Sequence, residues 1–260
     1  MQRPRLSLAY LAMRLGAFCL VGLLLIVGVA SSQTTKTASP ATPALPMYRP
    51  ALLATAPDSL VNRIDTADLI KKGQKDAAIM FSCIVAPTGD ILLSETYRGT
   101  LESKLLEQEV LKRLSNAKFI PAIHNHKPVA AFFYGTVVFS VVNGKSRLRI
   151  FSNQQVDELK KESDFIDPQP YFGDDSKFTG PHYPDTGTTV HLTGLAELAL
   201  NVDAAGNLKN MQLVSEYPPL LGFGGAAISD FRGAKFIPAF RNGQPVESKV
   251  TLRVYFKPSN

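Results

Sequence analysis

The chain has 260 residues, 45% hydrophobic and 19% charged, with a formal net charge of +6. This balance excludes a disordered chain, and the length leaves room for two domains of ordinary size. Arg3, Arg5 and Arg14 lie in an acid-free N-terminal segment; the remainder carries only +3, with no Lys/Arg stripe interleaved with aromatics, which argues against nucleic acid as a partner.

Residues 1–14 form a basic stretch, and 15–30 are an uncharged apolar run ending in the small residues Gly28-Val29-Ala30. This pattern predicts a signal peptide over residues 1–30, or an N-terminal anchor if the segment stays attached. The run is shorter than the roughly 20 residues a spanning helix needs. Residues 31–56 are rich in Ser, Thr and Ala and are interrupted by Pro40, Pro43, Pro46 and Pro50, which favours an extended linker. Beyond the export segment the only cysteine is Cys83, so no internal disulfide can form.

Residues 57–150 read as a first folded unit. Ile79, Phe81, Cys83 and Val85 alternate as the buried face of a strand, and Pro87-Thr88-Gly89-Asp90 turns it. Residues 102–114 carry a helical stripe of Leu106, Val110, Leu111 and Leu114. The strand over 129–141 is apolar on both faces: Phe133, Val137 and Phe139 on one, Phe132, Tyr134 and Val138 on the other. The second face requires cover from the other unit, the linker, a partner or the segment 152–165. Residues 151–178 read as a polar connector.

Residues 179–260 form the second unit. Leu198, Leu200 and Val202 face one way in a strand over 195–202, and Asp203-Ala204-Ala205-Gly206-Asn207 turns it into a second strand over 208–215. A short helix is predicted around 225–231. Arg241-Asn242-Gly243-Gln244 carries the Asn-Gly pair of a type I′ hairpin, and the last strand spans 246–256 with Val250, Leu252, Val254 and Phe256 on one face.

The two units are copies. Ala117-Lys118-Phe119-Ile120-Pro121-Ala122 recurs as Ala234-Lys235-Phe236-Ile237-Pro238-Ala239, an offset of 117. The same offset relates Val85 to Val202, Gly89 to Gly206, Asn125 to Asn242 and Phe139 to Phe256 without a gap. The period is long and the copies few, so tandem domains fit better than a solenoid.

The chain contains no Gly-x-Ser-x-Gly elbow, Walker loop, His-Glu-x-x-His or Cys-x-x-Cys. His124-x-His126 has possible metal spacing but lies in a hairpin turn with no carboxylate or thiol nearby in sequence, and reads as solvated. No enzyme, cofactor or metal is expected.

Pro181-His182-Tyr183-Pro184, the Gly206 hairpin, Lys235-Phe236-Ile237-Pro238-Ala239 and Asn242-Gly243-Gln244-Pro245-Val246, in that order, resemble the TonB C-terminal domain family. The resemblance covers 180–256 well and 77–139 weakly. It implies an α+β fold of two tandem small domains after the signal or anchor segment, each an antiparallel sheet of hairpin and long last strand with a helix on one face. It further implies periplasmic export in the Gram-negative cell envelope and a protein or peptide partner, an outer-membrane transporter among the candidates, bound by strand addition to a sheet edge. Pro181, Tyr183, Pro184, Val250, Leu252 and Val254 are the candidate partner-binding residues. The chain departs from the family's energy transducers in three features: Gly180 precedes Pro181 where Gln is common, the apolar segment lacks His, and the linker is short. A periplasmic binding module is therefore the first expectation, and a membrane-anchored energy transducer for transmembrane transport the alternative. An enzyme or ligand-binding protein with a site between the domains is the third.

Overall fold

The computed structural model describes residues 44–184 and 192–258; the export segment, most of the linker and His191 lie outside the described residues. The chain begins with β1 (Tyr48–Arg49), β2 (Leu52–Leu53), α1 (Leu60–Arg63) and α2 (Thr66–Lys71), the last capped by Asp65, which accepts from the Asp68 N–H at 2.9 Å. Then come β3 (Ala77–Val85), β4 (Ile91–Gly99), α3 (Lys104–Leu114), β5 (Phe119–Ile120), β6 (Ala122–His124) and β7 (Lys127–Val142). β8 (Lys145–Phe151), α4 (Val156–Lys161) and β9 (Gln169–Phe172) follow. The second copy consists of β10 (Gly194–Val202), β11 (Leu208–Tyr217), α5 (Phe223–Phe231), β12 (Phe236–Ile237), β13 (Ala239–Arg241), β14 (Gln244–Val246) and β15 (Ser248–Phe256).

The offset of 117 holds in the strand register. β3 pairs with β7 from Ala77 opposite Phe139 to Val85 opposite Ala131. Adding 117 to each number gives the pairing of β10 with β15, from Gly194 opposite Phe256 to Val202 opposite Ser248. The helices obey the same offset. Leu106, Val110 and Leu114, spaced by one turn of α3, are fully buried, and Phe223, Ala227 and Phe231 repeat this on α5. Both hairpin turns place two successive residues at positive φ, Asn125 and His126 in one and Asn242 and Gly243 in the other, as a type I′ turn requires.

The repeat reaches further upstream than the sequence suggested. β2 pairs with β5, Leu53 opposite Phe119, and β9 pairs with β12 at the equivalent position, Pro170 opposite Phe236. Arg49 lies opposite Ile123, and Ile166 bridges Phe240. The end of the Pro-rich stretch and the second half of the connector are therefore parts of the folding units. The reading of 31–56 as linker throughout and of 151–178 as connector is corrected on this point: Tyr48, Leu53 and Tyr171 supply apolar surface that a solvated linker would lack. α1, α2, β8 and β9 were not anticipated.

Two cores result. One packs α3 and α1 on the β3–β7 face around Phe81, Phe133 and Phe139. The other packs α5 on β10 and β15 around Leu198, Phe236 and Leu252. The second apolar face of β7 belongs to the latter: Phe132 and Tyr134 are buried among its residues, joined by Phe165 and Phe178 from the segment between the copies. Cover thus comes from both the second copy and the connector. Pro43–Asn260 forms one compact unit, so the copies do not stand apart.

Candidate protein-interaction site

Among the described residues the two main sheets have open edges at β4 and β8 in the first copy and at β11 and β15 in the second. An open edge is a template for an added strand, and each edge here is treated differently. β4 carries extra residues at Leu92 and Arg98, where its register with β3 shifts. β11 carries them at Lys209 and Val214. Such bulges bend a strand away from regular pairing. β7 is covered by the chain itself, by β9 at Ala130 and Ala131 and by β8 from Thr136 to Val142. Among the described residues, no strand covers the outer side of β15.

That edge is closed only in its middle. The Gln155 carboxamide accepts from the Thr251 N–H at 3.0 Å and donates to the Thr251 carbonyl at 3.2 Å. The Tyr97 hydroxyl donates to the Arg253 carbonyl at 3.4 Å. Bonding direction alternates along an antiparallel ladder, so Lys249, Thr251, Arg253 and Tyr255 turn their backbone groups outward. Val250, Leu252 and Val254 turn theirs toward β10, and their side chains are 5%, 0% and 1% exposed. The expectation that these three contact a partner is therefore corrected: they are core residues, and the alternate residues present the edge.

Clefts flank the closed stretch. One of about 480 Å³ runs along Ser248, Lys249 and Thr251, facing Gln155, Phe165 and Arg241. The other, of about 310 Å³, lies at the strand tip, where Tyr255, Phe256 and Lys257 meet Phe132, Pro181 and Tyr183. Two of the sequence-derived candidates, Pro181 and Tyr183, thus converge on the tip. Pro184 is buried beside them in the chain. The entry segment is anchored to α5, since the His182 N–H donates to Asp230 Oδ2 at 2.9 Å and His182 Nδ1 lies 2.8 Å from Asp230 Oδ1. Tyr183 meets Phe223 edge-on at 5.6 Å, and its hydroxyl donates to the Leu192 carbonyl at 2.6 Å.

Behind the closed stretch lies a buried polar seam that sequence reasoning missed. Gln154 and Asn153 are fully buried and Asp167 is 1% exposed. Asp167 Oδ2 accepts from the Gln154 N–H at 2.8 Å, and its carboxylate accepts from Gln155 Nε2 at 3.0 and 3.1 Å. Arg253 donates to Glu197 at 2.9 Å and to the Gln154 carbonyl at 3.0 Å. Burial pushes the Asp167 carboxyl up to about 7, against the opposing pull of its bonds to Gln154 and Gln155. Burial also acts on Glu197, but Ser215, Arg98 and Arg253 outweigh it and hold its carboxyl below the usual range. Nothing in the local pattern of Asn153-Gln154-Gln155 distinguishes it from a solvated loop, so the sequence held no signal for this seam.

The histidine pair is not simply solvated. His124 stacks on Tyr171 with ring centroids 4.4 Å apart, and the Tyr171 hydroxyl donates to Asp175 at 2.8 Å. Exposed His126 reaches the Leu45 carbonyl at 2.5 Å. Among the described residues, no group of three or more His, Cys, Asp or Glu is placed to hold a metal. None of the described helices is long and apolar enough to cross a membrane.

Residues 179–258 match the family described as Gram-negative bacterial TonB protein C-terminal. The match covers the second copy alone and supports one such domain. Residues 57–150, expected to be a first and degenerate TonB C-terminal-like repeat, are not matched. A comparison with curated proteins finds no match.

Proposed function

We propose that this chain is a periplasmic TonB-like protein-interaction module that takes an extended segment of a protein or peptide partner by strand addition at the tip of β15. One observation carries the reading: among the described residues β4 and β11 are blunted by bulges and the outer strand β8 carries Lys145, Arg147 and Arg149, which leaves β15 as the straight, uncovered edge without such protection. The family match at 179–258 supports it. Main-chain bonds at Tyr255 and Lys257 supply affinity, and the cleft lined by Phe132, Pro181 and Tyr183 receives alternate side chains of the partner. A transporter of the outer membrane is the partner that the family suggests.

The test is capture from envelope extract with the wild-type chain, with Lys257→Pro, which deletes an outward N–H, and with Val214→Pro on β11. A partner lost only with Lys257→Pro supports the proposal, and one indifferent to that change defeats it. The apolar run at 15–30 keeps the anchored energy transducer as a second reading. The mass of the mature N-terminus separates the two, because a start near Ser31 removes the anchor.

A further inference from the structure

The edge of β15 is interrupted at one point by a side chain that imitates a peptide unit. A carboxamide has one carbonyl and one N–H₂, and Gln155 offers both to the N–H and C=O of the single residue Thr251, at 3.0 and 3.2 Å. A neighbouring strand would present the same pair of groups there. The molecule uses this device a second time. Gln169 accepts from the Ala51 N–H at 2.7 Å and donates to the Ala51 carbonyl at 3.0 Å. Gln155 is not a loose surface chain. Its Nε2 is held by both oxygens of buried Asp167, and its own N–H donates to Asn153 Oδ1 at 3.1 Å. The next outward carbonyl, that of Arg253, is taken by Tyr97, whose hydroxyl receives Gln154 Nε2 at 2.5 Å.

The first copy shows where a strand added to this edge stops. β8 runs antiparallel along β7 and leaves it at Thr136, opposite Phe151. The residue 117 positions after Thr136 is Arg253. The ladder of the first copy therefore ends at the position where the Gln155 and Tyr97 bonds begin in the second. Below the stop, Ser248 Oγ and Gln154 Oε1 are buried, line the larger cleft and have no hydrogen-bond partner. Lys249 turns its own backbone groups outward there, so the edge below the stop is able to accept more strand.

We propose that Gln155 is a register stop: it fills the place of one peptide unit at Thr251 and confines an added strand to residues 255–257, beyond the Arg253 carbonyl that Tyr97 takes. This inference rests on the strand-addition reading above. It makes the preferred ligand a short antiparallel extended segment that turns away, or ends, next to Arg253. It also names Gln155 as the residue that sets ligand length.

The probe is a synthetic peptide with the sequence of residues 145–151, lengthened at its C-terminus by Thr-Val-Thr-Val so that it can reach past the stop. Residue-resolved amide exchange is measured on the exported chain with and without peptide. In the wild type, the peptide should slow Tyr255 and Lys257 by about tenfold or more and leave Lys249 unchanged. In Gln155→Ala, it should also slow Lys249 by a similar factor. Gln155→Ser repeats the measurement should alanine unsettle the connector. If Tyr255 and Lys257 are protected while Lys249 behaves alike in wild type and variants, the register stop is overturned and strand addition stands. If neither protein protects Tyr255 or Lys257, strand addition at this edge fails and the stop fails with it.

Discussion

Gly206 sits against Phe236 so closely that a Cβ built on the glycine would overlap the Phe236 carbonyl oxygen. The contact is also a hydrogen bond, with the Phe236 N–H donating to the Gly206 carbonyl at 3.0 Å. Gly89 and Phe119 make the identical arrangement in the first copy, also at 3.0 Å. Both glycines have φ near +80°. Gly206→Ala and Gly89→Ala should each destabilise by at least about 2 kcal/mol, since strain and overlap add. Urea unfolding measures this; Gly225→Ala, where a Cβ meets open space, is the control.

Phe236 is 1% exposed and Phe119 is 4% exposed, each in its own core. Truncation to alanine should cost about 3–5 kcal/mol at either site. Near-neutral thermal melts for both would contradict the core assignment.

Asp167 gives the fold a pH dependence of unusual sign. Its carboxyl rises from the ordinary 3.8 to about 7 because burial penalises the charged form. The unfolded chain therefore releases this proton at lower pH than the folded one. The stability that neutral Asp167 contributes is complete below about pH 4 and is lost as pH rises through 7, a span on the order of 4 kcal/mol. Denaturation curves between pH 4 and 8 should show the decline, and Asp167→Asn should flatten it. A wild-type curve that rises through this window, with Asp167→Asn unchanged from it, would refute the assignment.

Tyr97 links three segments through one hydroxyl, bonding the Arg253 carbonyl and receiving Gln154 Nε2, while its ring stacks on Tyr255 at 5.4 Å. Tyr97→Phe keeps the stack and strands two polar groups. It should cost about 1–3 kcal/mol, measured by urea unfolding. Equal stability would show that water replaces the hydroxyl at no cost.

The core faces of the main strands and helices were legible in the sequence because the strand period and the repeated Phe-Ile-Pro-Ala block report burial directly. Phe236, Leu252 and Leu106 all occupy the core faces their spacing indicates. The same logic misplaced the contact residues. An apolar stripe identifies the face of a strand that meets a core and carries no information about the strand's edge, so Val250, Leu252 and Val254 were nominated although they are core residues and the alternate residues turn their backbone groups outward. β8 was missed because Lys145, Arg147 and Arg149 alternate with half-buried neighbours against an edge, where apolar demand is weak. β9 was missed because Pro170 reads as a strand breaker, although an edge position tolerates it. Gln155 acts through an amide that any solvated loop also contains.

β9 belongs to neither copy alone. It pairs with Ala130 and Ala131 on one side and with Phe236 and Ile237 on the other. A protein cut at residue 179, where the family likeness begins, would leave behind this shared rung along with Phe165 and Phe178, stripping Phe236 of its strand partner Pro170. Melting should accordingly show one cooperative transition for both halves, and the C-terminal piece expressed by itself should be the less durable molecule.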